Sequence, residues 1–183
     1  MYEKFGQFIN GKWQKSSSNK TYEVINPATE EILGKASKAN NKDIHLALES
    51  AKLGLEKWKN TSPWERSKVL RKISELIRQR INVLSNWLTL EVGKPISESP
   101  GEVIGAADIF EWNSEETKRI FGETNQSRFS NTRIHVYYQP VGVVAALVPW
   151  NFPIVLAARK ISTALAAGCS VIVKPDVITP GSV

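Results

Sequence analysis

The sequence predicts an α/β fold: the start of a parallel sheet with flanking helices, preceded by a small antiparallel edge and an amphipathic helical region. Three observations lead there. Val141 to Val148 is a nearly continuous apolar run, an alanine-rich segment from Pro153 to Gly168 follows it, and Ser170 to Val173 is a second short apolar run. Strand, helix and strand in such close succession form a βαβ unit, and uninterrupted hydrophobicity in both strands suits a parallel sheet covered on both faces. Upstream, apolar residues recur at helical spacing from Asp43 onward, whereas residues 7 to 38 read as short extended runs.

Taken in order, QFINGKWQ carries an Asn10-Gly11 turn signal between aromatic and aliphatic positions, and TYEVINPATEEILGKASKA places Asn26-Pro27 as a bend between two further runs. From Asp43 the period changes. Ile44, Leu48, Ala51, Leu55 and Trp58 fall on the stripe of an amphipathic helix. Ser62-Pro63-Trp64-Glu65 is a capping box with proline at the first helical position, and Val69, Leu70, Ile73, Leu76 and Ile77 form the buried stripe that follows. A third helix runs from Asn82 to Val92 and is closed by Gly93 and Pro95. Ser99-Pro100-Gly101-Glu102 repeats the capping pattern and predicts a fourth helix to about Phe121, with a kink or restart at Pro100. After a polar turn, TNQSRFSNT, the segment Arg133 to Tyr138 alternates as a strand whose tyrosines could pair with another sheet edge.

Composition bounds the function. With 42% hydrophobic residues and six tryptophans in 183 residues, the chain is not disordered and holds enough apolar surface for one sizeable core or two small ones. The net charge of +6 raises the question of nucleic acid. However, Lys52, Lys57, Lys68, Arg71, Lys72 and Arg78 alternate with Glu49, Glu56, Glu65 and Glu75, which reads as solvated helix faces with i,i+4 pairing, and no nucleic-acid motif accompanies them. One cysteine, Cys169, excludes an intrachain disulfide, and His45 and His135 alone could join it around a metal, too few for a structural zinc site. The N-terminus MYEKFGQFING has no apolar leader core, and no run approaches the length of a membrane span, so a cytoplasmic chain is expected.

In a right-handed βαβ unit the residues just past both strands emerge on one edge of the sheet, where open parallel sheets bind ligands. Here these are Pro149, Trp150 and Asn151 after the first strand and Lys174, Pro175 and Asp176 after the second. Asn151 could cap the helix that starts beside it, or its amide could donate to a developing oxyanion. Lys174 could merely end a strand in solvent, or donate to the hydroxyls or phosphate of a nucleotide lying across the edge. The stretch lacks G-x-G-x-x-G, so a nucleotide bound here is not held by the usual dinucleotide fingerprint.

PWNFP at residues 149–153, followed by ALAAGCSVIVKP and then Thr179-Pro180, resembles the aldehyde dehydrogenase superfamily. FINGKW, INPATEEILGKA, LTLEVGKP, FEWNSEETKRIFGE and QPVGVVAALVPWNFP follow in the family's order, so the resemblance covers nearly the whole chain. FEWNSEETKRIFGE and AARKISTALAAGCSVIVKP place it nearest the NAD(P)-dependent succinate-semialdehyde dehydrogenase branch. The resemblance implies the start of a Rossmann-like cofactor-binding domain over residues 1–183, including an oligomerisation-type strand near 125–140. It implies that Asn151 is the oxyanion-hole asparagine that stabilises the adduct of an aldehyde on a cysteine thiolate. Pro149 and Trp150 would line the cofactor cleft. Lys174 would hydrogen-bond the adenosine ribose, with Pro175, Asp176 and Val177 beside it. Arg159 resembles the arginine that grips a remote substrate carboxylate, its other reading being a snorkelling arginine on an amphipathic helix.

Two departures bear on this. Asp176 and Val177 stand where the family commonly has serine or alanine and then often glutamate. Asp176 would repel a 2′-phosphate and Val177 removes an acceptor for the ribose, which leaves the cofactor as NAD or NADP. The family's enzymes are also more than twice this length, and the nucleophilic cysteine, the general base and the catalytic domain are absent. Cys169, aligned with the non-catalytic position of AAGC, implies a buried structural thiol. The expected activity is oxidation of an aldehyde, succinate semialdehyde above others, with this chain inactive alone. The alternatives are a non-catalytic subunit that docks through open strand edges onto a complementing second chain, possible homo-oligomers included, or a decayed gene fragment without function.

Overall fold

The computed structural model describes residues 6–183; the first five residues of the N-terminal stretch discussed above lie outside the described part. The chain begins with two antiparallel ribbons. Strands β1 (Gln7–Ile9) and β2 (Lys12–Gln14) pair through the predicted Asn10-Gly11 turn, where both residues have positive φ, 52° and 73°, the requirement of the tight hairpin turn. Strands β3 (Thr21–Ile25) and β4 (Ile32–Ser37) form the second ribbon around the Asn26-Pro27 bend.

Helix α1 (Asn41–Trp58) opens with a capping box that the sequence reading missed: the Asn40 side chain accepts from the Lys42 and Asp43 amides, and Asp43 accepts from the Asn40 amide in return. Asp43 also accepts from the Ser17 amide and the Ser16 hydroxyl, tying the first ribbon to the helix. Burial alone would raise its carboxyl, but these hydrogen bonds hold it well below the usual carboxylate range. Of the predicted stripe, Ala51 is buried and Leu48, Leu55 and Trp58 half-buried, while Ile44 faces solvent. Trp58 donates its indole N–H to the Leu165 carbonyl at 2.8 Å.

Helix α2 (Pro63–Gln79) starts as expected, with Ser62 accepting from the Glu65 amide and Pro63 at the first position. The box is only half formed, because the Glu65 carboxylate turns outward to Lys68. Val69 is exposed, and the buried face contains Ser67, Leu70 and Ser74; Ser74 satisfies its hydroxyl on the Ala107 carbonyl. Helix α3 (Ile81–Val92) ends at Gly93 in the left-handed conformation, as the stop signal predicts. The surface charges pair at i,i+3 in Glu49–Lys52, Glu65–Lys68 and Lys72–Glu75, not at i,i+4. Arg71 and Arg78 reach across to Glu111, Glu115 and Asp108 on the next helix.

That helix, α4 (Ser99–Glu116), corrects the sequence reading at both ends. Glu98 is the N-cap residue and Ser99 lies inside, bonded to Thr89 and to the Pro95 carbonyl, while Pro100 sits in the first turn, where its missing N–H costs nothing. The helix gives way to a single 3-10 turn, Thr117–Arg119, short of Phe121. The polar turn after it contains an unpredicted strand: β5 (Glu123–Gln126) pairs antiparallel with β6 (Arg133–Val136), leaving Tyr137 and Tyr138 beyond the ladder. All four β5 residues are exposed, so they show no buried alternation for a sequence pattern to reveal.

The parallel pair is β7 (Val143–Leu147) and β8 (Ser170–Lys174), joined by α5 (Pro153–Ala166). Contrary to the prediction of a sheet covered on both faces, Leu147 is 64% exposed and only Ala146 of β7 is buried. The main core lies among the helices: Leu70, Leu88, Val103, Ala106, Phe110, Ile154, Ala158 and Ala166 meet where α2, α3, α4 and α5 converge. Alanines at 106, 107, 157 and 158 let α4 and α5 approach closely, and this contact delivers the start of α5 to the first turn of α4.

Candidate functional site

The register of the parallel pair sets Val143 opposite Ser170 and Leu147 opposite Lys174. The Val148 amide donates to the Lys174 carbonyl at 3.0 Å, continuing the ladder by one step. Both strands therefore end on the same rim, and the chain leaves it through Pro149, Trp150, Asn151 and Phe152 on one side and through Pro175, Asp176 and Val177 on the other. Asn151 and Lys174, the two residues singled out from the sequence, share the carboxyl edge of the sheet. Pro149, Trp150, Asn151, Lys174 and Val177 are exposed, and Pro175 and Asp176 half-buried.

Asn151 does not cap α5. The N-cap position is Phe152, with φ −143° and ψ 62°, and its side chain makes no cap bond. The orphan amides of the first turn are met from another helix: the Glu102 carboxylate accepts from the Ile154 amide at 3.1 Å and, more weakly, from the Val155 amide at 3.4 Å. The other Glu102 oxygen binds Lys94 Nζ at 2.5 Å, and Lys94 Nζ lies 3.9 Å from the centre of the Phe152 ring. The Asn151 amide is thereby left to serve something else.

What it faces is an open groove of about 520 Å³. Asn151, Phe152 and Arg159 line one side, and Lys94, Glu98 and Glu102 the other. Arg159 is exposed and takes part in none of the ion pairs among the described residues. The Lys94 charge is matched by Glu102 within a nearly buried pair, their side chains 11% and 2% exposed, so Arg159 is the groove's available cation. Lys174 and its neighbours lie outside this groove, along the strand ends. There the Asp176 carboxylate accepts from the Ile178 amide at 3.1 Å, stabilising the turn after β8. Burial, with Asp176 nearby, raises the Tyr22 hydroxyl pKa.

Cys169 sits at the other end of the strands. It is 2% exposed and precedes Ser170, the first paired residue of β8, whereas Asn151 follows the last paired residue of β7. A five-residue strand spans about 13–17 Å, so the thiol is out of reach of the Asn151 amide. Among the described residues no group of three or more His, Cys, Asp or Glu side chains is placed to hold a metal, and no helix is long and apolar enough to cross a membrane. Of the groove residues, the sequence reading called only Asn151 and Arg159; Lys94, Glu102 and Phe152 are among those it missed. Lys94 stands between the stop residues Gly93 and Pro95 and drew no reading, and Glu102 read as a cap on its own helix; only the α4–α5 contact shows the helix it serves.

The aldehyde dehydrogenase family profile matches residues 13–183. The chain belongs to the aldehyde dehydrogenase family. It is 42% identical over 172 residues to the succinate semialdehyde dehydrogenase of Acinetobacter baylyi, covering 94% of this chain and 36% of that enzyme. It is 41% identical over 175 residues to the glutarate-semialdehyde dehydrogenase of Pseudomonas putida, covering 96% of this chain and 36% of that enzyme. Among solved structures, a variant of the betaine aldehyde dehydrogenase of Staphylococcus aureus in complex with NAD+ superposes with a TM-score of 0.94 at 31% identity, over 98% of this chain and 37% of that one. The chain thus spans about 36% of the length of these family members, and over that span it has their fold.

Proposed function

We propose that this chain forms the first part of the cofactor-binding domain of an NAD(P)-dependent dehydrogenase acting on a short aldehyde with a remote carboxylate, such as succinate or glutarate semialdehyde. The observation that carries the reading is the shared groove: Asn151, freed from capping by Glu102, and Arg159, two helical turns further on, line the same side of it. When a thiolate supplied from outside these residues adds to the aldehyde carbon, a C–S bond forms and the carbonyl π pair moves onto oxygen. The Asn151 amide donates to that oxygen, an interaction that strengthens as the charge develops. Arg159 offers two parallel N–H donors to the far carboxylate and so fixes which end of the substrate meets Asn151.

The residues along the rim suit a nucleotide. Lys174 is an exposed donor at the strand end, and the half-buried Asp176 keeps its second oxygen out of the turn it stabilises. A bound nicotinamide cofactor would supply the hydride acceptor. Pro149 and Trp150 would wall its cleft and Lys174 would hold the ribose, with Pro175, Asp176 and Val177 alongside. This donor set accommodates NAD or NADP. The thiolate and base are not among these residues and Cys169 is at the wrong end of the sheet, so the purified 183-residue chain is expected to form no NAD(P)H from succinate semialdehyde. Turnover by protein free of host dehydrogenases contradicts the reading.

A second reading rests on the sheet itself. A two-stranded parallel sheet, with Leu147 64% exposed and Val141, just before β7, 89% exposed, presents unpaired backbone edges beside apolar side chains, a surface suited to a complementing polypeptide or a second copy. Light scattering on the chain alone and with a candidate complementing chain tests it, and a strictly monomeric species in both samples removes it.

A further inference from the structure

We propose that Glu102 and Lys94 act as a two-residue brace that positions Asn151. The proposal deepens the reading of Asn151 as an oxyanion donor and rests on it for its functional meaning, but its geometry is independent of any activity. A helix start exposes unsatisfied amides, and the residue next to it is commonly recruited as a cap. At α5 that recruitment does not occur: the N-cap Phe152 has no side-chain cap bond, and Glu102, from the first turn of α4, takes the Ile154 and Val155 amides. The same carboxylate holds Lys94 Nζ at 2.5 Å, and Lys94 in turn stands 3.9 Å from the Phe152 ring centre.

The corner is therefore gripped on the C-terminal side of Asn151 at two points, one through the backbone of residues 154 and 155 and one through the ring of residue 152. Glu102 is 6% exposed and its pair with Lys94 is nearly buried, so the brace is shielded from water and from screening by salt. Small residues where α4 meets α5 set the distance between the two helices, with Gly105 facing Val155, and so hold Glu102 within reach. Both brace residues also line the groove that Asn151 lines. Glu102 and Lys94 are positioning residues: they act on the reaction through residue 151.

The test uses the 183-residue chain and reads backbone order by nuclear relaxation together with amide exchange, neither of which requires turnover. Glu102→Ala is expected to speed exchange at Ile154 and Val155 by about tenfold or more and to lower backbone order at residues 150–153. Val24→Ala, which opens a cavity in the separate cluster beneath the second ribbon, leaves both readouts at their wild-type values. Unchanged exchange and order in Glu102→Ala, or the same changes in Val24→Ala, overturn the brace. If Glu102→Ala does not fold, Lys94→Met decides: loss of order at 151 and 152 with Ile154 still protected supports the proposal, and wild-type order there overturns it. An Asn151 that is ordered but proves unnecessary for oxidation in an active enzyme would instead overturn the proposed function and leave the brace standing.

Discussion

Leu147 and Lys174 lie side by side as the last paired residues of two parallel strands. From that pairing it follows that Asn151, four residues beyond Leu147, and Lys174 share one rim, the edge where doubly wound sheets take their ligands. Had the strands been antiparallel, these residues would have emerged at opposite ends and the proposed site could not exist.

The helical core, not the sheet, carries the stability of the described residues. Leu70 is fully buried among α2, α4 and α5, so Leu70→Ala removes apolar contacts and leaves a cavity, with an expected cost of about 2–5 kcal/mol. Urea unfolding followed by circular dichroism checks this, with the shift appearing in the midpoint and not in the slope. Val69→Ala on the same helix, where the side chain is exposed, is expected to change stability by no more than about 0.5 kcal/mol.

Glu91 gives the chain a pH dependence. Its carboxylate is fully buried and accepts from the amides of Gly181 and Ser182, at 2.8 and 2.7 Å, and from the Ser182 hydroxyl, anchoring the last residues to α3. Burial raises its pKa to about 7, against the lowering effect of those hydrogen bonds. Because the folded value lies above the unfolded one, the stabilisation is fully present below about pH 4.5 and is lost as pH rises through about 7. The difference across that window is on the order of 3 kcal/mol. Unfolding free energy measured from pH 5 to pH 8 is expected to fall in the wild type and to be flatter in Glu91→Gln.

Gly168 is a position where the backbone needs glycine. It ends α5 with φ +87°, and an added Cβ would lie 2.3 Å from the guanidinium of Arg66, a buried cation whose pKa is lowered by desolvation. Gly168→Ala is expected to lower stability by more than about 1 kcal/mol, since left-handed φ and crowding both oppose the methyl group. Gly101→Ala, with nothing within contact distance, is the control and is expected to be neutral or mildly stabilising.

Much of this was legible in the sequence where local chemistry decides structure. The Asn10-Gly11 hairpin, the Ser62-Pro63 helix start, the Gly93 stop and the βαβ order all follow from residues acting within a turn or two of themselves. The carboxyl-edge placement of Asn151 and Lys174 followed from the parallel strands that a βαβ unit requires. The Asn40–Asp43 capping box was a local signal left unread, but most of what the sequence hid depends on partners distant along the chain. Ser99-x-x-Glu102 has the spacing of a capping box, yet Ser99 is drawn inside by Thr89 and Glu102 by Ile154, more than fifty residues away. Strand β5 is polar on both faces and carries no periodic signal. Arg71 and Arg78 pair with α4 because the α2–α4 packing brings them there, which no spacing within α2 can show.

In the proposed function Arg159 and Asn151 divide the substrate between them, one holding the remote carboxylate and the other the reacting oxygen. An active enzyme that carries this chain as its N-terminal portion decides it, by comparing succinate semialdehyde with butanal before and after Arg159→Leu. The expected result is a KM for succinate semialdehyde raised about tenfold to a hundredfold, the worth of a charge-assisted pair, with butanal oxidation unchanged. Equal losses for both aldehydes, or no loss for either, would contradict it.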